Sequence, residues 1–225
     1  MKKSRPAASD SGDPRQRAYE FAYKCHKGKM RKNNEEFITH PLNVALICAS
    51  LNVDSTTIIS ALVHETIDNG PSSLEEIESL FGEEVMHIVS SLMKVNRLKL
   101  TDESESTSLY LRKVLVALSE DVRVLIIKLA GRVHNMRTIY PFSKEKQRLK
   151  AIETQNVLIP IAHRLGINQL KTELEDICFR VLKNEDYKSV EESLPASREK
   201  LNEILEETKE TIIEELKQNN ISFEI

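Results

Sequence analysis

From Asp13 to Asn219 the chain divides into segments that open on a helix-capping residue and then carry apolar side chains at helical spacing. Asp13 precedes Pro14, Asp54 precedes STTIISALVHETI, and Ser73 stands three residues ahead of Glu76, the spacing of a capping box. A side-chain oxygen at such a position accepts from a backbone N–H that the first helical turn leaves without a partner. A period near 3.6 residues gathers apolar groups on one face of a helix and scatters them over both faces of a strand. With six glycines, seven prolines and no tryptophan in 225 residues, the turn density of a hairpin-rich sheet is missing as well. The pattern predicts an all-α chain of about ten helices.

The first helix is expected from Pro14 to about Lys29, ahead of the polar loop GKMRKNNEE. The second, HPLNVALICASL, has Pro41 near its first turn, and the third runs from Asp54 through Ile67 to the turn signal Asn69, Gly70 and Pro71. A short helix from Ser73 to Phe81 stops at Gly82, and another reaches about Val95. RLKLTDESESTS is acidic and aperiodic and reads as a mobile loop. Further helices are expected over 107–118, 122–138, 143–165 and 169–182. The last, 196–219, is amphipathic, with Leu201, Ile204, Leu205, Ile212, Ile213 and Leu216 as the stripe it packs. The alternating NISFEI at the end reads as the opening of a strand that would lead into a longer parent chain. Residues 1–13 are expected to be a disordered lead-in, 14–195 one helical domain, and 196–225 an amphipathic helix and linker.

A net charge of -3 gives no basic field to steer the chain to nucleic acid or anionic lipid, so direct nucleic-acid binding is not expected. No stretch approaches the roughly 20 apolar residues of a membrane span. The N-terminal MKKSRPAASDSGDP is basic at first but lacks the apolar core of a signal peptide. Cys25, Cys48 and Cys178 are odd in number and lie mostly among apolar residues, which suits reduced core thiols and a cytoplasmic protein.

Two apolar helices carry polar stripes. Ala61, His64, Glu65 and Asp68 fall at i, i+3, i+4 and i+7 of one, opposite Ile58, Ile59, Leu62 and Val63. Lys128, Gly131, Arg132 and Asn135 share a side of the other, away from Val122, Leu125, Ile126, Leu129, Val133 and Met136. A histidine and acids inside an interior helix are costly unless each finds a partner, and a metal ion or bound anion provides one. A solvent-facing side is the ordinary explanation for one such stripe, and it weakens when two occur together. Ahead of His40, the segment from Lys24 to Lys32 holds Lys24, Lys27, Lys29, Arg31 and Lys32, cations of the kind that meet phosphate oxygens, although most charge runs are solvated surface. His26, close to Arg31, is a further candidate for the pocket. His87 reads as partly exposed, and His134 and His163 as hydrogen-bonded packing residues.

Four strings taken in order, HKGKMRKNNEEFITHPLNVA, LVHETIDN, DVRVLIIKLAGRVHNMRT and IPIAHRLGINQLKTELEDICF, carry a resemblance over about residues 15 to 190. The sequence resembles the N-terminal hydrolase region of the long RelA/SpoT alarmone enzymes, members of the HD phosphohydrolase superfamily. The resemblance implies an HD-domain-like helical bundle which, in active relatives, holds one manganese ion and removes the 3′-pyrophosphate of guanosine tetra- or pentaphosphate. It implies that His40 and His64 are metal ligands, with Glu65 at the place of the family's adjoining aspartate. It places Arg31 and Lys32 at the ligand's phosphates and Asn135 and Thr138 around the nucleotide, and it implies a synthetase domain following in the parent chain.

The chain departs from the family pattern where the chemistry is concentrated. The fourth ligand, an aspartate in a string reading leucine, alanine, aspartate, arginine, is Gly131 here. The glutamate and aspartate that position or activate the attacking water are Asp68 and Asn69. Glycine offers no ligand atom, and a carboxamide does not accept a proton as a carboxylate does. Hydrolysis is therefore expected to be lost and manganese to be weakly held or absent. The domain is then an alarmone-binding regulator of a GTP pyrophosphokinase in the same parent chain. Two alternatives stand beside this: an active manganese-dependent pyrophosphohydrolase, with water at the vacant position and Asp68 reaching inward, and an unrelated helical interaction module.

Overall fold

Side-chain caps hold the N-termini of five helices in the computed structural model, which describes residues 12–97, 121–193, 195–219 and 221–223. Asp13, Asp54, Ser73, Asp121 and Ser143 each accept from a backbone N–H two or three residues on. In chain order the elements are α1 (Pro14–His26), α2 (Thr39–Ser50), α3 (Ser55–Val63), α4 (Leu74–Phe81), α5 (Glu83–Arg97) and α6 (Val122–Arg137). There follow α7 (Lys144–Glu153), a π turn (Thr154–Leu158), α8 (Ile159–Arg164), α9 (Asn168–Leu182), α10 (Asn184–Ser193) and α11 (Pro195–Gln218). With α7, the π turn and α8 taken as one rod, the described residues form ten helices and no strand, and a single isolated bridge joins Met30 to Glu36. The chain is all-α, as its periodicity predicts. The helix expected over 107–118, the loop before it and nearly all of the lead-in lie outside the described residues.

The described residues fall into two compact units, one ending at Cys178 and the other beginning at Phe179. At the centre of the first, α3 is an interior helix: Thr57, Ile59, Ser60, Ala61, Leu62 and Val63 are all buried as it packs on α1, α2 and α5. α2 and α5 in turn both pack on α6, which buries Val124, Leu125, Ile127, Leu129, Ala130, Val133, His134 and Met136. Removing that much apolar surface from water is the main favourable term for such a bundle. The first turn of α2, the end of α3 and the middle of α6 thereby converge.

The structure moves several boundaries. α1 stops at His26 rather than near Lys29, because Gly28 takes a φ of 78°, a left-handed conformation that ends a helix cheaply only at glycine. α3 stops at Val63, not Ile67. The chain tightens there into turns in which both Thr66 N and Thr66 Oγ1 donate to Val63 O and Ser72 N donates to Thr66 O. This fold-back needs Gly70, since a Cβ at that residue would lie 2.2 Å from Thr66 O.

The helix expected over 143–165 widens into a π turn just before Pro160, which has no N–H to give to the preceding turn. Val122, assigned to the core stripe of its helix, is 54% exposed. In the second unit α10 was not foreseen, and Phe179 and Tyr187 meet edge to face at 5.7 Å between ring centres. The stripe of α11 is not packed away: Leu201, Ile204, Leu205 and Ile212 are each half-exposed or more. Ile221 to Phe223 are irregular, and the rest of NISFEI lies outside the described residues. No helix of the described residues is long and apolar enough to cross a membrane.

Candidate functional site

α2 delivers His40 in its first turn, and the C-cap of α3 delivers His64 with Glu65 directly after it. The ligand atoms of these three residues all lie within 4.8 Å of one another. His64 Nδ1 lies 2.7 Å from Ala61 O, a contact that requires a hydrogen on Nδ1, and its Nε2 faces Glu65 Oε1 at 3.4 Å. His40 presents Nε2 to the same oxygen at 3.9 Å, while its Nδ1 lies 2.9 Å from His134 Nδ1. An outer partner of this kind fixes ring orientation for a metal-binding histidine.

Burial, then the charge of His64, pushes His40 well below the ordinary imidazole range, and burial, then the charge of Arg31, lowers His134 to about 4. Burial alone would raise Glu65. Its hydrogen bond and charge interaction with His64, helped by His40 and Asn69, outweigh that and hold the carboxyl well below its usual value. The cluster thus brings two imidazoles beside one carboxylate, the donor set a borderline divalent ion takes.

The remaining three family positions, Gly131, Asp68 and Asn69, sit differently. Gly131 lines the same small pocket of about 70 Å3, with Asn96, Lys128, Arg132 and Asn135. A Cβ there would find only Val44 Cγ2, at 4.0 Å, so the place a carboxylate would fill is open. Asp68 does not share the face of His64. Because α3 has ended, Asp68 stands exposed on the following turn, and the expectation that it reaches inward one turn from His64 is overturned at that point. Asn69 is also exposed, but its Nδ2 donates to Glu65 Oε2 and its backbone oxygen accepts from Lys29 Nζ at 2.5 Å. It therefore steadies the Glu65 carboxylate.

Beside the cluster of His40, His64 and Glu65 lies a second cavity of about 330 Å3, lined by Arg31, Lys128, Arg132, Asn135, Thr138, Phe142, Lys146 and Lys150 together with Met136 and Ile139. None of these is an acid. Arg31 Nη2 donates to Thr138 Oγ1 at 3.1 Å and to Asn135 Oδ1 at 3.3 Å, so three of the four residues expected around a nucleotide are in contact. The fourth, Lys32, instead stands over the Phe142 ring at 5.0 Å, with Lys146 over the same ring at 4.7 Å. The two cavities share Lys128, Arg132 and Asn135.

Lys128 is pushed down to about 8, first by burial and then by Arg132. Arg132 is itself gripped by Glu153 at 2.7 Å and by Thr154 Oγ1 at 3.2 Å. Phe142, Lys146 and Lys150 went unnoticed in the sequence, although the four-residue spacing of the lysines puts them on one face of α7. Asn96 and Glu153 left no local signal. His26 is buried against Phe37 and lines neither cavity, His87 is exposed beside Glu83, and His163 is exposed rather than packed.

A family model for the HD domain matches residues 18–168. The chain is 35% identical over 212 residues to a GTP pyrophosphokinase of Myxococcus xanthus, covering 93% of this chain and 28% of that protein. It is 43% identical over 190 residues to a guanosine-3′,5′-bis(diphosphate) 3′-pyrophosphohydrolase of Aquifex aeolicus, covering 84% of this chain and 27% of that one. The chain thus spans little more than a quarter of these relatives. A solved structure of a metazoan ortholog of SpoT, described as hydrolysing ppGpp, aligns with a TM-score of 0.57 at 21% identity over 79% of this chain and 97% of that one. At that identity the likeness speaks to the fold.

Proposed function

The chain belongs to the HD-domain family, in its RelA/SpoT branch, and from that premise we propose that it is a hydrolase-derived domain that binds guanosine tetraphosphate without hydrolysing it. The observation that carries this reading is the open place at Gly131, where among the described residues no further protein donor joins the set formed by His40, His64 and Glu65. Losing an outer contact of a metal ligand commonly costs about 10- to 100-fold in affinity or activity, and here a ligand itself is gone. Nor is a base in position, since Asp68 stands off the site and Asn69 is a carboxamide bound to Glu65. The phosphate side is better furnished: Arg31, Lys128, Lys146 and Lys150 face one cavity with no acid in its lining.

His40, His64 and Glu65 would hold a divalent ion such as manganese, which when bound supplies charge to polarise a phosphate oxygen or a water. This chain's own residues orient and attract the ligand: Arg31 is braced by Asn135 and Thr138, and Lys128 projects between the two cavities. In a parent protein of the relatives' length, such a domain would regulate a cytoplasmic guanosine tetraphosphate synthetase by binding ligand differently in two packed states.

The test is a binding titration with guanosine tetraphosphate beside a hydrolysis assay with manganese. Saturable binding without pyrophosphate release is expected, and Arg31→Ala should weaken binding by about tenfold. The combined variant Glu65→Asp, Asp68→Glu, Asn69→Asp and Gly131→Asp should gain hydrolysis. No binding at millimolar ligand would sink the reading. The preset tautomer of His64 and the tight three-residue cluster favour a second reading, a hydrolase with an altered ligand set; pyrophosphate release by the unmodified chain would establish it.

A further inference from the structure

The gap at Gly131 sits between an incomplete donor set and a buried cation. On one side, His40, His64 and Glu65 offer three donors to a divalent ion. On the other, Lys128 lies one turn before Gly131 on the same side of α6, with Asn96 Oδ1 accepting from its Nζ at 2.5 Å. Arg132 beside it is compensated by Glu153, whereas among the described residues no carboxylate forms an ion pair with Lys128. The carboxylates of Glu153 and Glu65 act on Lys128 only from beyond ion-pair distance, and a buried ammonium so weakly compensated by counter-charge is costly. A side chain at residue 131 is the natural place for that counter-charge, and glycine provides none.

The geometry points to a composite site in which a divalent cation rests on His40, His64 and Glu65 and a phosphate oxygen of the ligand enters the Gly131 gap as its further donor, against Lys128. This inference rests on the reading that the cavity takes a phosphorylated nucleotide. The inner cavity of about 70 Å3 has room for an ion and a phosphoryl oxygen, and the adjoining cavity of about 330 Å3 has room for the rest of the ligand. The charges also match: Glu65 and the phosphate face the cation, and Lys128 faces the phosphate. A phosphate entering alone would meet the carboxylate of Glu65, and a cation entering alone would lack a donor at residue 131. Each therefore favours the other, and by linkage the two effects are equal. In this chain the cation is not a resident cofactor but is bound together with the ligand, so the domain responds to both at once.

Two titrations test this. The free manganese signal in electron paramagnetic resonance measures ion binding with and without guanosine tetraphosphate, against a protein-free control for ion held by the ligand. Equilibrium dialysis measures ligand binding in manganese and in EDTA. The unmodified chain should bind manganese weakly alone and about tenfold or more tightly with ligand, with the same factor appearing in dialysis. Gly131→Asp, whose side chain has room, should bind manganese without ligand and lose most of the coupling. Lys128→Met should reduce the coupling while circular dichroism shows the helices intact. Equal manganese binding with and without ligand, or ligand binding that ignores manganese, overturns the composite site while leaving the nucleotide-binding reading in place. Ligand binding in neither condition overturns both.

Discussion

Nδ1 of His134 on α6 lies 2.9 Å from Nδ1 of His40 on α2, and only one of the two carries a hydrogen there. With the hydrogen on His40, that ring keeps its Nε2 lone pair for the space shared with His64 and Glu65. His134 is then the residue that aims His40, much as Ala61 O aims His64. The contact between His40 and His134 does not survive a second proton on the pair, because two protonated Nδ1 atoms would face each other.

Acidification should therefore destabilise the fold early. The folded-state value of His134 is depressed to about 4 from an ordinary 6.5, so between those values the unfolded chain binds more protons and stability rises with pH. The melting temperature, followed by calorimetry, is expected to fall as pH drops from 6.5 towards 4. Glu153, lowered to about 2 from 4.5, adds a further loss below 4.5. His134→Asn should flatten the upper part of the profile. A profile level between 6.5 and 4.5 would contradict this account.

Arg132→Met should be among the most damaging substitutions. Burial alone would raise the Glu153 carboxyl, and the charge and hydrogen bonds of Arg132 outweigh it. Removing the guanidinium leaves a largely buried carboxylate with only the half-exposed Lys150, at 2.9 Å, as its partner, so the loss should approach the roughly 3–5 kcal/mol that breaking a buried pair costs. Urea unfolding measures it, and Glu153→Gln in the Arg132→Met background should recover part of the loss.

Gly131→Ala should stabilise the domain. Residue 131 lies in the middle of α6, where glycine costs roughly 0.5–1 kcal/mol relative to alanine. The added methyl meets only Val44 Cγ2 at 4.0 Å, an ordinary contact. A lower melting temperature in this variant would show that the space is not open.

Gly70→Ala should do the reverse, by roughly 1–3 kcal/mol, since its Cβ would collide with Thr66 O at 2.2 Å. The turn from Thr66 to Ser72 would have to open, releasing Asn69 from Glu65. Loss of stability without weaker manganese binding would separate this turn from the ligand set.

Helix content was legible because capping and periodicity are local: Asp13, Asp54 and Ser73 cap as their spacing predicts. The stripe of Lys128, Gly131, Arg132 and Asn135 was legible for the same reason, and all four line one pocket. Helix ends were less so. Whether HETI continues α3 depends on turns through Thr66 and Gly70 that periodicity does not register. On that account Asp68 looked like a neighbour of His64 and is not.

By itself the sequence determined that the chain is helical, that one helix carries glycine at residue 131 within a polar stripe, and that a carboxamide follows Asp68. These are matters of residue identity and of neighbours within a few turns. Only the tertiary structure decided that His134 backs His40 across 94 residues, that Arg31 meets Thr138 across 107, and that no described residue crowds the place beside Gly131. Those relations depend on how α2, α3 and α6 pack, and packing sums many weak contacts between residues far apart in the chain.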